Sequence, residues 1–240
     1  MAAMGDDVGR YPGEAGRTAR GLGRRLSLAL AVALASSVAL ADAQPAPHVQ
    51  TLDIHRWRVV QRESGPTDYY TIVAAQPPFV RALYAPGMET TVLGIVFTDA
   101  ERTAKKVRWR WRAETLPTLG SECGEGREDS AASVYLTWKR GLRWYTLKYV
   151  WSPIDKVGSV CRPIRNPFVA QDTVVLESGG PVDAWATEEI DLKAELRRHF
   201  ADNDPNADVP DLLGVGIMSD GDQTNSASAA DYGDFALVVP

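Results

Sequence analysis

The chain has 240 residues, 45% of them hydrophobic and 24% charged, with a formal net charge of −5. That length and apolar content suffice for one large all-β domain or two small domains, and they exclude a disordered chain. The negative balance leaves no basic footprint for a phosphate backbone, which excludes nucleic acid as the expected partner.

Arg24-Arg25 precede an apolar run, Leu26 to Ala35, and Ala41-Asp42-Ala43 fits the small-x-small rule for signal cleavage. Residues 1–43 are therefore expected to be a removed signal peptide, 44–53 an extended leader rich in proline, and 54–240 a single domain. The apolar run is too short for a comfortable membrane span. The expected location is periplasmic or secreted, and Gly23-Arg24-Arg25-Leu26-Ser27-Leu28 loosely fits a twin-arginine signal. In such a compartment Cys123 and Cys161, the two cysteines, are candidates for one disulfide.

Short runs of strand character follow at 54–60, 69–74, 80–84, 91–97, 107–112, 131–139, 142–151, 173–177, 214–218 and 235–239. Gly65-Pro66, Gln76-Pro77-Pro78, Ala85-Pro86-Gly87 and Ser178-Gly179-Gly180-Pro181 punctuate them as turns. That density of strands predicts a sandwich or barrel. One segment departs from it: Leu192, Leu196 and Phe200 recur every four residues, a helical stripe with Asp191 as its N-cap. A lone helix this short needs a surface to pack on, so it should lie across one end or edge of the β-structure.

Val107-Arg108-Trp109-Arg110-Trp111-Arg112 alternates with period two, which puts both tryptophans on one strand face and three arginines on the other. Arg108 and Arg110 are candidate ligand-binding residues, because planar guanidinium forks bind carboxylates and sulfates; they can equally pair with carboxylates on neighbouring strands. The strands at 131–139 and 142–151 read as a hairpin turning at Arg140-Gly141, with Lys139 opposite Leu142. Extrapolated, this register brings Cys123 and Cys161 to the same end of the hairpin. Its pairing places Val134, Leu136, Tyr145 and Leu147 on a core face, and Tyr135, Thr137, Trp144, Thr146 and Lys148 on the other. The second face resembles a sugar-binding platform, with Tyr135 and Trp144 as candidate ligand contacts, or else a half-buried face under a loop.

The loop after residue 218 carries Asp220, Asp222, Thr224, Ser226, Ser228 and Asp231 at positions one, three, five, seven, nine and twelve of a calcium-loop spacing. Asp220, Asp222 and Asp231 are thus candidate ligands for calcium, although Asn225 stands where such loops carry glycine and Asp231 where they carry glutamate. The alternative is a long turn whose side chains cap their own backbone. Signals for catalysis are sparse. The chain has no G-x-S-x-G elbow, H-E-x-x-H or phosphate-binding loop, and Gly214-Val215-Gly216 lacks the third glycine of a dinucleotide fingerprint. His48, His55 and His199 are the only histidines, which argues against a histidine triad or a multi-histidine metal site.

Several of these segments together resemble DUF3047, a bacterial family of unknown function. They are Trp109-Arg110-Trp111, Glu128-Asp129 ahead of Val134-Tyr135, Tyr149-Val150-Trp151 followed by Asn166-Pro167, Trp185 ahead of Asp191, Gly214 through Asn225, and Ala230 through Asp234. The resemblance runs from about Trp57 to the C-terminus. Ser133 stands where such proteins often carry arginine, and the two cysteine-bearing loops are particular to this chain. The resemblance implies an all-β fold, a jelly-roll-like antiparallel β-sandwich with one short helix packed on it, similar to carbohydrate-binding modules, and it brings no established activity. The expectation is a non-catalytic exported protein binding a carbohydrate, an anionic polysaccharide or another polyhydroxylated ligand. A polysaccharide hydrolase or lyase on the same scaffold and a structural or adaptor protein of the cell envelope are the alternatives.

Overall fold

The computed structural model describes residues 47–62 and 69–240. The expected signal peptide and the Gly65-Pro66 turn lie outside the described residues. In chain order the strands are β1 (His48–Thr51), β2 (Arg58–Arg62), β3 (Tyr70–Val73), β4 (Phe79–Tyr84), β5 (Thr91–Val96), β6 (Lys106–Thr115), β7 (Ala132–Arg140) and β8 (Arg143–Ser152). β9 (Val160–Arg165), β10 (Val169–Ser178), β11 (Ala186–Asp191), β12 (Leu212–Met218) and β13 (Ser228–Val239) follow, with short helices α1 (Asp99–Arg102) and α2 (Leu192–Phe200) between strands. A single 3-10 turn, Ile54–Arg56, replaces the start of the strand expected at 54–60.

Two sheets form. One has the order β11-β6-β13-β4-β3 with β1 also paired to β13, and the other runs β2-β5-β12-β7-β8-β10-β9. Between β4 and β13 the pairing is nested: β4 lies beside β13, β5 beside β12 and β6 beside β11, each antiparallel. β4, β5 and β6, and again β11, β12 and β13, thereby alternate between sheets, which is the winding of a jelly roll, while β7 to β10 stay together in the larger sheet. The fold is the expected β-sandwich, with one parallel pairing in it, β10 beside β8. Three strands were not legible in the sequence. β1 falls in the proline-rich leader, β9 carries Pro163 between arginine and isoleucine at a sheet edge, and β11 is Ala-Thr-Glu-Glu-Ile-Asp, too polar to read as a strand.

The core is the space between the sheets. β6 sends Val107, Trp109, Trp111 and Ala113 inward, all fully buried. They meet Leu136, Leu147, Tyr149, Trp151, Val215 and Ile217 from the facing sheet. Trp109 lies 5.9 Å from the Tyr149 ring and Trp111 lies 6.1 Å from the Trp151 ring, centroid to centroid. Truncating one such ring typically costs about 3–5 kcal/mol, a large share of a domain's net stability. Leu192 and Leu196 of α2 join this core, and the Asp191 carboxylate accepts from the backbone N–H groups of Lys193 (3.1 Å) and Ala194 (2.9 Å) as the expected N-cap. The Phe200 ring packs tilted against that of Tyr145, centroids 5.5 Å apart, and the Tyr149 hydroxyl donates to Glu195 Oε2 at 3.1 Å.

The hairpin turn sits one residue later than expected, at Gly141-Leu142, with Arg140 opposite Arg143 and Lys139 opposite Trp144. Gly141 has φ +57°, a backbone state that glycine enters without steric penalty. Because the correction changes the pairing register by two residues, both faces of the hairpin keep their expected side chains. Cys123 and Cys161 form the disulfide, their Cα atoms 4.7 Å apart, tying the loop before β7 to edge strand β9. The bridge closes a separation of 38 residues, and chain entropy puts its contribution at about 4 kcal/mol. Reduction, or a Cys123→Ser/Cys161→Ser double substitution, is expected to lower the unfolding free energy by about 2–4 kcal/mol in a denaturant titration. An unchanged midpoint would show that the bridge adds nothing.

Candidate ligand-binding groove

Period-two alternation decides what the seven-stranded sheet shows to the outside. With Val134, Leu136 and Trp138 of β7 and Leu147, Tyr149 and Trp151 of β8 committed to the core, Tyr135, Thr137, Trp144, Thr146 and Lys148 must point outward. A cavity of about 780 Å³ lies along that outer face. Val60 and Val96 line one side of it, Gly214 and Gly216 of β12 its middle, and Tyr135, Thr137, Trp144, Thr146, Lys148 and Gln171 its other side. The glycines create part of the depth. A Cβ on Gly216 would stand 2.8 Å from Val92 Cγ1, and one on Gly214 would strike the Ile95 carbonyl oxygen, so side chains there would displace neighbouring strand β5.

The floor holds a buried charge. Lys148 is 6% exposed, and its Nζ lies 2.6 Å from Glu122 Oε1. Burial opposes its charge, but the Glu122 carboxylate, Tyr135 and Asp220 more than offset this and hold the ammonium pKa well above its ordinary value. Tyr135, whose hydroxyl lies 3.7 Å from Met218 Sδ, is kept protonated by burial. Trp144 is 41% exposed, with the Lys139 ammonium 4.4 Å from its ring centroid.

At one end of the groove the acidic loop meets the segment before β7. Asp129, Asp220 and Asp222 bring carboxylate oxygens within 4.8 Å of one another, an all-oxygen set of the kind a hard divalent cation takes. Much of this oxygen is already engaged by the protein. Asp129 accepts from the backbone N–H of Gln223 (3.2 Å) and of Thr224 (2.7 Å) and from the Thr224 hydroxyl, while Asp220 Oδ1 accepts from Ser130 N–H at 2.9 Å. These bonds brace the loop as a turn, and Asn225 takes φ +49° within it. Asp231 takes no part. β13 begins at Ser228, well before the strand expected at 235–239, so Asp231 is a strand residue on the outside of the other sheet. There it accepts from Arg81 Nε (2.8 Å) and Arg112 Nη2 (2.6 Å). Burial acts to raise its pKa, yet the two guanidiniums hold it below the usual carboxylate value.

Of the four residues expected to touch ligand, the structure brings Tyr135 and Trp144 into one groove and places Arg108 and Arg110 on the opposite side of the sandwich. Arg108 lies against Glu189, which also meets Lys106 at 2.6 Å. Arg110 Nε is 2.7 Å from Asp234, and its guanidinium sits 4.2 Å from the Trp185 ring centroid. These are the cross-strand partners that three arginines on one strand face require. Sequence reasoning missed Gln171, because β10 starts at Val169 rather than near 173, and Glu122, whose role depends on a loop folding over Lys148. Ser133 is fully buried, and its hydroxyl lies 2.8 Å from that of Ser130.

A jelly-roll-like sandwich with an open groove on the outer face of its larger sheet is thus the class of protein that fold and site define. The chain belongs to the DUF3047 family, proteins of unknown function, which it matches over residues 55–236. No curated protein matches it in sequence. Among solved structures it is similar to a family 11 carbohydrate-binding module of the cellulosomal cellulase Lic26A-Cel5E of Clostridium thermocellum, at 10% identity and TM-score 0.43, covering 81% of this chain and 96% of that one. It is similar also to the xyloglucanase domain of NopAA, a type three effector from Sinorhizobium fredii, in complex with cellobiose (10%, TM-score 0.42, 80% and 97%). Trichoderma harzianum endoglucanase 3 of family GH12 is a further neighbour (9%, TM-score 0.38, 81% and 98%).

Burial pushes the Asp220 carboxyl up to about 8, against the opposing pull of Lys148. The folded state then holds a proton that the unfolded chain releases near pH 4, so stability should fall as pH rises from about 4 to about 8. Asp220→Asn is expected to flatten that slope and to be the more stable protein above pH 8, as read by thermal melts across pH. Parallel pH profiles for the two proteins would contradict this assignment.

Proposed function

We propose that the groove binds a carbohydrate or similar polyhydroxylated ligand and performs no chemistry on it. One observation carries the reading. A half-exposed tryptophan ring, Trp144, stands in the same open groove as the hydroxyls of Thr137, Thr146 and Tyr135 and the amide of Gln171. Apolar ring faces accept the C–H face of a sugar, and polar groups set beside them orient its hydroxyls. Arg108 and Arg110, satisfied by Glu189, Asp234 and Trp185, have no part in the proposal. The Cys123–Cys161 disulfide supports residence in an oxidising compartment, and the described residues contain no helix long and apolar enough to cross a membrane. Periplasmic or secreted placement is part of this proposal.

A hydrolase or lyase is the second reading, because Glu128, Asp220 and Asp222 line the same groove. Release of reducing ends or unsaturated products from a polysaccharide panel would favour it over simple binding. For the binding reading, calorimetry on the purified protein against neutral and acidic polysaccharides is expected to find a ligand whose affinity drops about tenfold in Trp144→Ala and stays unchanged in Arg108→Ala. Silence across the whole panel would remove the proposal.

A further inference from the structure

The polar groups of the groove are arranged in a line. Gly214 of β12 is paired with Val96 on one side and with Thr137 on the other. Thr137 is paired with Thr146, and Thr146 with Gln171. Cross-strand partners share a face, so Val96, Gly214, Thr137, Thr146 and Gln171 form one row at right angles to five adjacent strands, and all five line the cavity. Strand spacing sets the repeat of the row at about 4.8 Å and its length at roughly 19 Å.

The three polar members are uncommitted. Among the described residues, the Thr137 and Thr146 hydroxyls and the Gln171 amide make no side-chain hydrogen bond, and each is only half-buried. The row therefore offers a hydrogen-bonding group at every strand step over β7, β8 and β10, and a smooth stretch over Gly214 and Val96. On one flank stands the ring of Trp144, two residues along β8 from Thr146, and on the other the Tyr135–Lys148 pair.

Resting on the carbohydrate reading above, we infer that the ligand is the extended, ribbon-like segment of an unbranched β-linked polysaccharide, lying across the strands with about one sugar ring per strand. An equatorially linked chain advances by about one ring length per unit and presents hydroxyls along a straight edge, which matches a straight row with the strand repeat. An α-1,4-linked glucan curls, so its successive hydroxyls turn away from such a row after one or two contacts. The aliphatic end at Gly214 and Val96 accepts the C–H face of a ring and needs no polar partner.

The test is calorimetry of the purified protein with matched hexasaccharides: β-1,4-linked glucan, mannan and xylan against α-1,4-linked glucan. At least one β-linked hexamer is expected to bind at least about tenfold more tightly than the α-linked one, with affinity rising from the disaccharide to about the pentasaccharide and then levelling. Gln171→Ala and Thr146→Val should each weaken the hexamer by about three- to tenfold, and thermal melts of both variants report whether the fold is intact. Preference for the α-linked chain, or affinity that is already complete at the disaccharide, would overturn the inference and leave carbohydrate binding standing. Absence of binding to every saccharide would overturn both.

Discussion

The packing of Trp109 and Trp111 against Tyr149 and Trp151 is the constraint on which the rest of the molecule depends. Large rings buried from both sheets fix which face of β6 and which face of β8 point inward, and a strand has only two faces to allot. Once Tyr149 and Trp151 are inside, Trp144, Thr146 and Lys148 are outside with no further choice. Sliding β6 by one residue would exchange its buried tryptophans for three arginines, and sliding β8 would exchange Tyr149 and Trp151 for a face that carries Lys148. The register is therefore held by several kcal/mol per ring, far more than any single surface contact supplies.

The same constraint gives the two outer surfaces different characters. On the smaller sheet, the arginines of β6 meet carboxylates on both neighbouring strands, Asp231 on β13 and Glu189 on β11, and Trp185 covers two of the guanidiniums. Charge is neutralised there within the sheet. On the larger sheet the middle is bare backbone at Gly214 and Gly216, flanked by hydroxyls and an amide that find no side-chain hydrogen bond among the described residues, and the charged pair Lys148–Glu122 is sunk in the floor. A surface with its polar groups already paired has little left for a ligand, while a concave surface with unpaired ones does.

Local pattern carried the hairpin a long way. The alternation through β7 and β8 assigned Tyr135 and Trp144 to one outward face even though the turn lies at Gly141-Leu142, because a two-residue change in pairing preserves the faces. The helix of Leu192, Leu196 and Phe200 was legible for a similar reason, its period and cap both being local. The calcium spacing misled over Asp231. Counting positions along the chain presumes a continuous loop, and β13 had begun at Ser228, drawn out by its pairing with β4 and β6. Asp129 took the place that spacing gave to Asp231, from a segment about ninety residues earlier.

The sequence by itself determined the all-β class, the faces of the strongly alternating strands, the disulfide partners and the capped helix, all of which follow from periods of two or 3.6 or from the count of cysteines. Only the tertiary structure decided which outward faces share a surface. Arg108, Arg110, Tyr135 and Trp144 each point outward from their strands, yet two stand on one sheet and two on the other, because the winding sends β6 to one layer and β7 and β8 to the opposite one. Alternation says that a side chain leaves the core. Strand order, set by long-range pairing that no local period encodes, says where it arrives.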